Sequence, residues 1–113
     1  MAAGPHDYRL VLGDRAVRLG YRLGSDTLLI LLDLAAHATS SPEEGIVVSA
    51  SYRDISRRLG ISKDTVGRRL ALLRRDGVVV ELSEDSADRF ETRSYRLYLD
   101  FAGVTREPSR VTP

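Results

Sequence analysis

The stretch Ser51-Tyr52-Arg53-Asp54-Ile55-Ser56-Arg57-Arg58-Leu59-Gly60-Ile61-Ser62-Lys63-Asp64-Thr65-Val66-Gly67-Arg68-Arg69-Leu70-Ala71-Leu72-Leu73-Arg74-Arg75-Asp76-Gly77 decides the fold. Ser51 and Asp54 have the spacing of a reciprocal helix cap, in which a hydroxyl accepts from the third helical N–H and an acid reaches back. Tyr52, Ile55, Ser56 and Leu59 recur at i, i+3, i+4 and i+7, one inward stripe of a short helix. Gly60 suits the left-handed stop, and Ile61 drops toward the core. Ser62 caps a second helix, with Asp64 near its positive end. There Val66, Leu70 and Leu73 lie within about 60° of one another. Asp64, Arg68, Ala71 and Arg75 lie opposite, with Thr65, Gly67 and Leu72 at the edges. Asp76-Gly77 ends the helix.

Two short helices joined by a tight Gly-containing turn make a helix-turn-helix at 51–77. Val78-Val79-Val80-Glu81-Leu82 follows as a strand. Ser94 to Asp100 alternates as another, with Tyr95, Leu97 and Leu99 on one face and Arg96 and Tyr98 on the other. A hairpin over 78–100 directly after the second helix completes a winged helix-turn-helix.

These residues resemble the DNA-reading half of bacterial winged-helix regulators, such as the GntR-type and MarR-type repressors, and the winged helices of replication initiators. The shared pattern is Gly60 followed by an apolar residue and Ser62, then Thr65-Val66, Leu70 and Leu73, and Gly77 before an apolar strand. The strict match covers 51–79. The resemblance implies DNA contacts from Ser62, Lys63, Thr65 and Arg68 on the second helix, with Gly67 and Arg69 beside them. It implies phosphate contacts from Ser51, Tyr52 and Arg53 at the start of the first. Arg68 is the expected base reader, because a guanidinium can grip guanine O6 and N7 together; Lys63 is expected on phosphate. Arg74 and Arg75, late in the helix, are expected to be solvated.

Three departures stand out. Ser56 occupies a position where the pattern usually has Ala. Gly67 costs about 1 kcal/mol against Ala inside a helix; either it permits close approach to DNA or it is tolerated. The wing carries Glu84, Asp85, Asp88 and Glu91 against Arg89 and Arg93. Acids would be repelled by phosphate. Either only Arg89 or Arg93 reaches DNA, or the wing serves a protein partner.

The local charge supports a polyanion partner. From Ser51 to Gly77 eight basic residues face three acidic ones, a local +5, although the chain's net charge is only +1. From Glu81 to Glu91 the sign reverses, with five acids against Arg89.

Working outward, Tyr8 to Leu12 alternates as a half-buried strand, and Gly13-Asp14 can turn the chain. Arg15 to Leu23 reads either as a returning strand or as the lead-in to a helix. Ser25 or Asp26 is a plausible cap for a helix to about Ala38. Its apolar residues (Leu28 to Leu32, Leu34 to Ala36) cover more than one stripe. Either it is a central helix wrapped by the N-terminal segment, or one face meets a second copy of the chain; a homodimer through 26–38 and the N-terminal segment is expected. Thr39 to Gly45 reads as a loop and Ile46-Val47-Val48 as a short strand. Residues 1–7 and 102–113 read as frayed tails.

The expected fold is therefore α+β, mainly α, in a single domain of 1–113: a three-helix core, a C-terminal wing and an N-terminal strand or hairpin. The chain has 113 residues, 42% of them apolar, enough for one modest core. Zero cysteines rule out a disulfide scaffold, a thiolate metal site and a cysteine nucleophile. His6 and His37 leave little for a metal. No phosphate loop, nucleophile elbow or His–carboxylate cluster points to an enzyme, so no catalytic residue, metal or cofactor is expected. A small effector would have to bind at a dimer seam or in the N-terminal segment, and no residues announce such a site. With no apolar run of membrane length and no basic-then-apolar leader, a cytoplasmic, nucleoid-associated protein is expected. The expected function is sequence-specific binding of double-stranded DNA, as a small transcriptional regulator on a pseudo-palindromic site. A protein-interaction module, or the DNA-binding part of a replication or partition system, are the alternatives.

Overall fold

The computed structural model describes residues 8–82 and 92–108. In chain order its elements are β1 (Tyr8–Leu12), α1 (Asp14–Leu23), α2 (Ser25–His37), β2 (Thr39–Ser41), β3 (Gly45–Ala50), α3 (Tyr52–Leu59), α4 (Lys63–Arg75), β4 (Val79–Glu81), β5 (Arg93–Leu97), α5 (Leu99–Ala102) and β6 (Val104–Pro108). Two antiparallel sheets result, one of β1 with β6 and one in the order β2-β3-β5-β4.

The core is built by the apolar stripes. Ile55 of α3 and Val66, Leu70 and Leu73 of α4 are fully buried against Ile30, Leu31 and Leu34 of α2. α2 is the central helix: α1, α3, α4, β1 and β3 all pack on it. That explains why its sequence is apolar on most sides. Burying such leucines contributes about 1.5–3 kcal/mol each. Tyr95 and Leu97 of β5 and Val79 of β4 close the core from the sheet side.

Polar fastenings tie helix to helix. Asp33 of α2, whose side chain is only 7% exposed, receives Arg58 Nη2 of α3 at 2.7 Å. Arg22 of α1 forks onto Asp76, the C-cap of α4, at 2.8 and 3.1 Å. His37, half-buried at the end of α2, has Nδ1 2.8 Å from the Asp33 carbonyl oxygen.

Several sequence expectations are corrected. The expected strand forms over Tyr8–Leu12 but not as a hairpin: of the two readings of Arg15 to Leu23 the helical one holds, as α1, and β1 pairs instead with β6, joining Arg9 to Glu107 at 3.2 Å. Within the supposed tail of 102–113, residues Val104–Pro108 are thus a strand, and 109–113 lie outside the described residues. Arg106 of that strand stacks on Tyr8 and donates to the Ala38 carbonyl at 2.8 Å, docking the ribbon on the end of α2. The cap of α2 is Gly24, not Ser25 or Asp26; at φ +102° it ends α1 and begins α2. Part of the Thr39–Gly45 loop is β2. The strand expected to reach Asp100 stops at Leu97. Leu99 is buried as its alternation suggests, but from the short α5. Gly103 then turns the chain at φ +80°, its carbonyl accepting from the Gly13 N–H at 2.8 Å.

Candidate nucleic-acid interface

The outward side of α4 is shaped from its first turn. The Thr65 N–H donates to Ser62 Oγ at 3.2 Å, so the hydroxyl satisfies one of the helix's orphan donors. The Ser62 hydroxyl in turn donates to Thr65 Oγ1 at 2.9 Å, and Arg68 Nη2 donates to the same oxygen at 3.3 Å. Ser62, Thr65 and Arg68 are therefore linked along one exposed turn. The link steers the Arg68 guanidinium toward the N-terminal half of the helix. With Val66, Leu70 and Leu73 fully buried beneath, that polar face points away from the core. Lys63, Asp64, Arg68 and Arg75 are exposed on it.

Gly67 is half-buried, and its lack of a side chain has a structural cause. A β-carbon there would lie 3.1 Å from Cε2 of Tyr52. The glycine thus admits the α3 ring against the α4 backbone. Arg69, at the opposite edge, is half-buried, and its Nε finds no hydrogen-bond partner among the described residues.

At the start of α3 the reciprocal cap is present. The Asp54 N–H donates to Ser51 Oγ at 3.0 Å, and the Ser51 N–H donates to Asp54 Oδ2 at 3.3 Å. Both Ser51 bonds, the side-chain one above all, hold the Asp54 carboxyl below its usual range, with a smaller contribution from Arg57. Ser51 is only 6% exposed, so its hydroxyl serves the cap and is turned away from the surface. Arg53 is exposed; Tyr52 is half-buried between Gly67 and the sheet.

Arg93, read from sequence as a wing residue, lies at the wing's root. Its guanidinium sits over the Tyr52 ring, 5.5 Å from the centroid, and Nη1 lies 3.4 Å from both Glu81 carboxylate oxygens. Glu81 also receives Arg74 Nη1 of α4 at 2.8 Å. Beneath them Tyr95 is fully buried; burial, reinforced by Tyr52 and Glu81, pushes its phenol upward and keeps it neutral. Arg89, with the acids Glu84, Asp85, Asp88 and Glu91, lies outside the described residues.

The structure thus brings Ser62, Thr65 and Arg68 together, sets Lys63 and Arg53 on the surface, and assigns Ser51, Gly67 and Arg93 contacts within the fold. Part of the segment's positive charge is neutralised internally: Arg57 pairs with Asp54, Arg58 with Asp33 and Arg74 with Glu81. Arg68 and Arg75 enter no ion pair among the described residues. Sequence reasoning missed Glu81. Strand alternation held a signal for it, since Glu81 opposite Tyr95 shares the inner face with Val79 opposite Leu97.

Among the described residues no cluster of side chains could hold a metal ion, and no helix is long and apolar enough to cross a membrane.

Residues 49–80 match the sequence model of a family described as winged helix-turn-helix DNA-binding. The matched span runs from the end of β3 through α3 and α4 into β4. No curated protein and no solved structure matches the chain.

Proposed function

We propose, from the winged helix-turn-helix of DNA-binding type that the chain carries, that it is a sequence-specific reader of duplex DNA acting as a transcriptional regulator. The whole chain would work as one winged-helix unit. α4 enters the major groove, which admits a helix and exposes a distinct donor and acceptor pattern for each base pair. Arg68 reads a guanine, and Thr65 and Ser62 approach the neighbouring bases. Lys63 and Arg53, with the N-terminal N–H groups of α3, meet phosphates. The observation that carries this reading is the linked exposed turn Ser62–Thr65–Arg68 over a fully buried apolar stripe.

In this reading the protein acts as a homodimer on a pseudo-palindromic site. Support comes from apolar side chains left at the surface near the N-terminal segment: Tyr21 of α1 is 85% exposed and Leu29 of α2 is 48% exposed. A second copy covering them would supply the second α4 helix that a site of two half-sites, about 34 Å apart, requires.

Selection of bound sequences from random duplex DNA tests the proposal. Enrichment of an inverted repeat with a guanine in each half is expected, together with an affinity that falls steeply with salt. No enrichment and a flat salt response would remove the reading. Sedimentation of the protein alone, with Tyr21→Glu and Leu29→Glu as variants, tests the dimer; a wild-type monomer at every concentration and on DNA would refute it.

A further inference from the structure

The wing root holds two arginines that face one carboxylate. Glu81 lies on the inner face of β4, its side chain 13% exposed. It takes Arg74 from the last turn of α4 and Arg93 from the first residue of β5. Tyr52 from α3 completes the cluster by stacking under Arg93 while its ring covers Gly67. Four elements meet here, at the border between α4 and the sheet from which the wing extends.

We infer that Glu81 is a specificity-determining residue of the DNA surface: it keeps Arg74 and Arg93 from the phosphates. The inference rests on the DNA-binding reading above. An arginine on phosphate adds affinity for every sequence alike, so it raises non-specific binding without helping discrimination. Arg74 belongs to the last turn of α4 and Arg93 to β5; released from Glu81, both would be free to supply such contacts. A carboxylate against two arginines cancels part of that charge, and the ring under Arg93 fixes its direction. Discrimination is then left to the base-facing turn at 62–68. Glu81 touches no base in this account; it is a positioning residue acting through the two arginines.

The experiment follows the affinity for a mixed-sequence duplex, and for a duplex recovered by selection, against salt concentration. Each phosphate contact adds about 0.9 to the slope of log affinity on log salt. Glu81→Gln is expected to steepen the slope by about one to two contacts' worth and to raise mixed-sequence affinity by about tenfold at low salt. The ratio of selected to mixed-sequence affinity falls accordingly. Arg74→Gln alone leaves the slope unchanged, because that charge is already held. In the Glu81→Gln background the same change takes back about 0.9.

A Glu81→Gln protein that folds and keeps the wild-type slope overturns the inference. So does an Arg74→Gln single variant whose slope falls by about 0.9, and this arm decides the matter alone if Glu81→Gln does not fold. Wild-type protein with no salt-dependent duplex binding would overturn the DNA-binding reading itself, and this inference with it. Wild-type binding with unresponsive variants overturns only the inference.

Discussion

The Tyr52 ring lies against the backbone of Gly67, where a β-carbon would come within 3.1 Å of Cε2. The two residues set how closely α3 and α4 approach, and hence the attitude of the exposed α4 face. Alanine at 67 would gain about 1 kcal/mol in helix propensity but must displace the ring. The ring has little room to yield, with Arg93 stacked over it. In the native background we therefore expect Gly67→Ala to give no gain in stability. In a Tyr52→Ala background the same change should stabilise by up to about 1 kcal/mol. Denaturant unfolding of the four proteins of this cycle measures the coupling; equal effects in both backgrounds would show that the ring does not constrain the glycine.

Gly103 is a position where only glycine fits. Its φ is +80°, and a β-carbon would fall 2.7 Å from Arg15 Cβ and 2.8 Å from the Ala16 nitrogen. Both the left-handed backbone and the clash oppose a side chain. Gly103→Ala should cost about 3 kcal/mol, combining strain with overpacking. A fall in the thermal midpoint, with α1 losing amide-exchange protection first, is the expected result.

The Arg22–Asp76 fork links α1 to the end of α4 and carries a pH signature. The hydrogen bond from Arg22, then its charge, lowers the Asp76 carboxyl below its ordinary value against the opposing effect of burial. A carboxyl lowered on folding contributes stability that is present above the unfolded-state pKa. The contribution is lost as pH falls from about 5 through the lower folded-state value. Arg22 is more than half exposed, so solvent screening keeps the pair's contribution small. Asp76→Asn should remove that acid-side component and leave the remaining pH dependence in place. Unfolding free energies measured across the acid range check this.

The Ser51 hydroxyl is spent on the cap of α3. Ser51→Ala should destabilise by about 1 kcal/mol, with little change in DNA affinity once the protein is folded. Stability and binding measured on the same variant separate the two roles. A large affinity loss in a fully folded variant would return Ser51 to the DNA surface.

The middle of the chain was legible because its signals are local. The Ser51–Asp54 cap, Gly60 at φ +69° and the stripe Val66, Leu70, Leu73 each depend on neighbours within two helical turns. What stayed hidden depends on distant partners. Nothing near Tyr8 announces Pro108 as its ladder partner, and the β6 segment has no apolar alternation of its own to mark it. The run from Ser94 to Asp100 misled because Leu99 keeps the inward phase of β5 although the ladder has ended. At the candidate site, spacing identified the outer turn Ser62–Thr65–Arg68. It could not separate exposed arginines from those held by Asp33 or Glu81, since those acids come from other elements.

The central claim is that the outer face of α4 reads base pairs, and Arg68 is its most direct probe. Binding of Arg68→Ala to a selected duplex and to its single-base variants, at fixed salt, is the decisive measurement. A loss of about 1–3 kcal/mol and relaxed preference at the base pair that Arg68 reads are expected. Unchanged affinity together with unchanged preference at every position would contradict it.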